Sequence, residues 1–169
     1  MRRFSMLTIA LLGVLLISAG AVSAGPENFR AHLSGGEEVP PVDTNAQGQA
    51  IFQLSKDGTE LKFQLIVANI ENVVASHIHC GAVGVNGPVG VTLFGMVPPA
   101  GGRVNGILAQ GNITAPDPGT PCGWTDLDDV MAAIQSGNTY VNVHTNDGVH
   151  PGNSGPGDFQ SGEIRGQVR

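Results

Sequence analysis

Charge and aromatic rings are both scarce in this chain. Only 13% of its 169 residues are charged against 41% hydrophobic, a balance too apolar for a disordered segment, so a folded domain is expected. Basic residues are the scarcer sign. With 8 Lys and Arg against 14 Asp and Glu, the formal charge of −6 excludes a surface built to bind nucleic-acid phosphates. One Trp and one Tyr are too few for a carbohydrate-stacking platform. The chain has no G-x-S-x-G turn, no Gly-rich phosphate loop and no H-E-x-x-H helix, which removes the common hydrolase, nucleotide and zinc-protease templates. Cysteine is limited to Cys80 and Cys122, too few for a multi-bridge scaffold.

Residues 1–24 read as a secretory signal peptide. Arg2 and Arg3 precede an apolar run over 6–17, and Val22-Ser23-Ala24 offers small residues for cleavage before Gly25. The run falls short of the roughly 20 apolar residues that span a bilayer, which weighs against a retained anchor. Residues 25–169 then form one domain of ordinary size, without stable membrane insertion. The expected location is periplasmic or extracellular. In such an oxidising compartment an even cysteine count predicts a Cys80 to Cys122 disulfide, with two thiolate metal ligands as the alternative.

What the chain has in quantity is glycine and proline, 25 and 11 residues, which favours short strands joined by tight turns over long helices. Period-2 alternation supports this. Phe29, Ala31 and Leu33 share one strand face, Ala50, Phe52 and Leu54 another, and Leu61, Phe63, Leu65 and Val67 a third. Lys56-Asp57-Gly58-Thr59 supplies hairpin chemistry between the second and third. Further strands are expected at 73–79, 89–94, 104–113, 139–145 and 163–168. About eight strands predict an all-β Greek-key sandwich or flattened barrel. One short helix is expected where Leu127, Val130, Met131 and Ile134 recur at helical spacing, with Thr125 as cap, Asp128 completing the box and Gly137 as terminator. It is expected to lie as a lid across an open end. Residues 146–162 read as a long surface loop.

His77-Ile78-His79 is the most informative tripeptide, because on a strand both imidazoles share a face while Ile78 points to the core. His144 lies on another strand, with Val141 and Val143 facing inward and Tyr140, Asn142 and His144 facing out. If the two strands are neighbours, three imidazoles converge, and nitrogen-only ligation suits copper or zinc. The competing reading makes them hydrogen-bonding residues that pin loops. His150, in the long loop, is placed to supply a fourth ligand, whereas His32 reads as solvent-exposed. Asp126, Asp128 and Asp129 are explained by a helix N-terminus, and Glu37-Glu38 by a solvated turn.

Several segments resemble the CHRD domain, the module named after chordin and also found in exported bacterial proteins. They are Leu33 to Val42 (LSGGEEVPPV), His77-Ile78-His79-Cys80-Gly81, Asn86-Gly87-Pro88-Val89, Tyr140 to Thr145 (YVNVHT) and Gly162 to Gln167 (GEIRGQ). The resemblance implies an exported domain over residues 25–169. In outline that family is similar to copper/zinc superoxide dismutase, an immunoglobulin-like Greek-key barrel, and His77, His79 and His144 match three of its copper ligands by local pattern. The enzyme's bridging histidine follows Gly-Pro, where this chain has Val89, and its zinc subsite has no counterpart. The resemblance therefore implies a single metal and little superoxide dismutase activity. Arg165 is either an anion-guiding residue or a structural one paired with a carboxylate. Residues 153–161 look inserted relative to the family pattern. Two readings follow: an exported copper-binding protein, or a secreted module that binds another extracellular or periplasmic protein without metal.

Overall fold

The computed structural model describes residues 27–169. The signal-peptide expectation for 1–24 lies outside them. Eight strands form: β1 (Asn28–Ser34), β2 (Gln47–Leu54), β3 (Leu61–Glu71), β4 (Val73–Cys80), β5 (Val89–Phe94), β6 (Arg103–Ile113), β7 (Thr139–Thr145) and β8 (Ile164–Gln167). Every pairing is antiparallel, in the order β5-β4-β7-β8-β1-β2-β3-β6. The two outer strands, β5 and β6, approach each other, so the sheet curls into a nearly closed barrel. Closure leaves few open ladder groups, the usual solution to the edge-strand problem.

The alternating residues face inward as their periodicity requires. Ala31, Leu33, Ala50, Phe52, Leu61 and Leu65 are buried in one core together with Ile78, Val141, Val143 and Ile164. The β2–β3 hairpin turns at Gly58, with φ of 74°, where the Asp57 carboxylate accepts from the Ser55 and Thr59 hydroxyls at 2.6 and 2.8 Å. The topology places β4 beside β7, far apart in sequence, with His79 opposite Tyr140 and His77 opposite Asn142.

One α-helix, α1 (Leu127–Gln135), adds Leu127, Val130, Met131 and Ile134 to the core. Its cap differs from the expected one. Asp126 is the N-cap, accepting from the Asp129 amide at 3.1 Å, while Thr125 donates its backbone amide and hydroxyl to Asp129 at 2.7 and 2.9 Å. The cap lies one residue nearer the helix, where the Asp126 carboxylate reaches the amide three residues on. Gly137, with φ of 71°, ends the helix as expected. The amides of Gly137 and Asn138 donate to Ile134 and Ala133, a Schellman closure. Among the described residues no helix is long and apolar enough to cross a membrane.

Candidate metal centre

His77 and His79 project from β4 on the face away from the core, with Ile78 fully buried between them on the other face. The β4–β5 register shifts just before each of these histidines, between Ser76 and His77 and between Ile78 and His79. Such irregularities re-aim side chains. His144, from β7, joins them: ring centroids lie 5.6 Å (His77–His79), 5.1 Å (His77–His144) and 5.8 Å (His79–His144) apart. One nitrogen from each ring lies within 4.8 Å of the other two.

The protonation pattern follows from the partners. His79 Nδ1 donates to the Gly87 carbonyl at 2.9 Å, and His144 Nδ1 to the Gln160 carbonyl at 3.0 Å. A carbonyl only accepts, so both Nδ1 atoms carry the hydrogen and both Nε2 atoms keep a free lone pair. His79 Nε2, His144 Nε2 and His77 Nδ1 are all buried and have no hydrogen-bond partner among the described residues. Buried nitrogens without partners on three clustered imidazoles are what a metal ion satisfies. Burial, reinforced by the neighbouring His77, pushes His79 and His144 down to about 4 and lowers His77 as well. The rings are therefore neutral and donor-competent at pH 7.

A chain of contacts behind His79 holds it in place. Its ring stacks on Tyr140 at 4.8 Å with planes 9° apart, and the Arg165 guanidinium lies 3.5 Å from the Tyr140 centroid on the ring. Arg165 donates to Asn86 Oδ1 and the Val85 carbonyl at 2.9 Å and to the Ala82 carbonyl at 3.3 Å. These bonds shape the 81–88 loop, whose Gly87 carbonyl orients His79. Gly87 has no room for a side chain, because a Cβ there would strike the Cys80 carbonyl. The loop is also stapled by the Cys80–Cys122 disulfide. Arg165 is 2% exposed and its guanidinium is spent on carbonyls, an amide oxygen and an aromatic face; among the described residues no carboxylate hydrogen-bonds to it.

The outer face of β7 differs from expectation. Tyr140 and Asn142 point away from the core, yet are only 2% and 3% exposed, because the 81–88 and 146–162 segments fold over them. Residues 146–162 contain no helix or strand, as expected, but they are tied down: Phe159 and Thr145 exchange hydrogen bonds, and Gly157 donates to Glu163. This places Gln160 against His144. His150 is exposed and does not join the three rings, and His32 is exposed on β1.

Three buried carboxylates were not legible as such, one of them Asp158, which accepts from the Ser154 amide and hydroxyl. Glu163 is satisfied by Thr44, Thr145 and the Gly157 amide. Glu38, expected in a solvated turn, is 6% exposed beside Asn142, and burial raises its carboxyl to about 7. Glu37 does face solvent. The three imidazoles line a cavity of about 300 Å³ whose other walls are largely apolar. A larger cavity of about 550 Å³ lies at Thr44, Glu71, Arg103 and Glu163, where Arg103 already pairs with Glu71 at 3.0 Å.

The CHRD domain model matches residues 29–168, nearly every described residue. The chain belongs to the CHRD domain family. No curated protein and no solved structure matches it. Among the described residues of the CHRD domain, the three histidines are the one group of three or more metal-donor side chains.

Proposed function

We propose that this CHRD-domain protein is exported and holds one copper ion through His77 Nδ1, His79 Nε2 and His144 Nε2. The observation that carries the reading is the set of three buried, unpartnered nitrogens, two of them with the tautomer fixed by a backbone carbonyl. The donors are neutral imidazoles, a set that favours copper over zinc on the Irving–Williams trend. The disulfide and the extracellular character of CHRD domains support export. The cavity in front of the rings leaves a coordination position free. With Val89 after Gly87-Pro88 and no second donor group among the described residues, little superoxide turnover is expected.

Calorimetric titration of metal-free protein with Cu(II), beside a His77→Ala, His79→Ala double variant, tests the reading. Binding by the parent and loss in the variant is expected. Equal binding by both, or none by either, would remove the site and leave a metal-free interaction module as the reading.

A further inference from the structure

We propose that the Met96 thioether is the fourth ligand of this site and directs it to copper(I). The inference rests on the three-histidine reading above and concerns what that site selects. Met96 lies in the connection between β5 and β6 and lines the same cavity as His77, His79 and His144. It is 82% exposed, an apolar side chain held in water with almost no packing of its own.

The backbone around it is held against both histidine strands. The Val97 amide donates to the Val74 carbonyl of β4 at 3.0 Å, and the Ala100 amide donates to Asn146, just past β7, at 3.1 Å. The Met96 side chain, unbranched with three rotatable bonds, is left free beside the open face of the rings. A Cβ at the preceding Gly95 would have nothing within 4 Å, so nothing packs over that side of the loop.

The donor chemistry points to a monovalent ion. Among the described residues no carboxylate lines the cavity, and Val74, Ala75 and Val89 supply apolar wall. Three imidazoles and a thioether are all neutral, so no ligand of the set compensates the charge of a bound ion. A single positive charge costs less there than a double one. Thioether sulfur is a soft donor that selects Cu(I), and zinc gains nothing comparable from it.

The test is competition for Cu(I) between metal-free protein and bicinchoninate, without oxygen and with ascorbate present. The variants are Met96→Leu, which keeps the apolar volume, and a His77→Ala, His79→Ala, His144→Ala triple. Met96→Leu is expected to weaken Cu(I) binding by about tenfold or more and to change Zn(II) binding by less than about twofold. X-ray absorption at the copper edge should show a sulfur neighbour in the parent and none in Met96→Leu. Unchanged Cu(I) affinity in Met96→Leu, or a weakened affinity with no sulfur neighbour in the parent, overturns the Met96 assignment alone. Undiminished Cu(I) binding by the triple variant overturns the three-histidine reading instead.

Discussion

Glu38 offers a quantitative test of the polar layer beneath the metal centre. Burial raises its carboxyl from 4.5 to about 7, opposed by the Arg165 charge and the Asn142 amide and aided by Glu163. Glu38 Oε1 and Asn142 Oδ1 are both buried without partners, two acceptors with no donor between them. A proton on Glu38 would supply that donor. Because the folded state holds this proton more tightly than the unfolded chain, the Glu38 contribution to stability is complete below pH 4.5. It is lost as pH rises to about 7 and amounts to about 3 kcal/mol. The histidines run the other way. With His79 and His144 lowered to about 4, their contribution is complete above their ordinary value of 6.5 and disappears as pH falls toward 4. The two trends overlap in the parent protein, so the informative quantity is a difference between two proteins.

Glu38→Gln is nearly isosteric, cannot ionise, and can return its amide hydrogen to Asn142 Oδ1. Urea unfolding of chelator-treated parent and variant from pH 4 to 8 cancels the histidine contributions. The variant should match the parent near pH 4.5 and exceed it by about 3 kcal/mol above pH 7. A difference independent of pH, or one that shrinks as pH rises, would refute a buried, proton-holding Glu38.

Two further outcomes follow from the support of His79. Arg165→Met removes three charged hydrogen bonds and the cation on Tyr140, which should cost about 3–5 kcal/mol in urea unfolding and weaken copper binding about 10- to 100-fold by titration. Equal stability of parent and variant would contradict the structural role. Replacing Cys80 and Cys122 together by Ala opens a cross-link between residues 42 apart and should cost about 4 kcal/mol in the chain-entropy model, read as a lower urea midpoint.

The periodicity of apolar residues, alternating in the strands and helical over 127–134, by itself placed eight strands and one helix to within a few residues, because side-chain periodicity is a local property of the chain. It also identified His77 and His79 as sharing a face, since strand geometry alone enforces that. The helix start was legible only in outline: Thr125 and Asp126 are both capping residues, and only the folded chain shows that the Asp126 carboxylate is the side chain that accepts from the Asp129 amide. Tertiary structure decided everything that needs two distant segments to meet. Whether His144 joins the pair depends on β4 lying beside β7, a pairing across more than 60 residues that no local pattern encodes. Whether an outward face is wet depends on what folds over it. Tyr140, Asn142 and Glu38 are buried because the loops at 81–88 and 146–162 close on that face, and the same closure brings the Gly87 and Gln160 carbonyls to the histidines. Backbone carbonyls are identical in every residue, so their use as ligand-orienting groups leaves no mark in the sequence; only the folded chain shows which of them reach an imidazole.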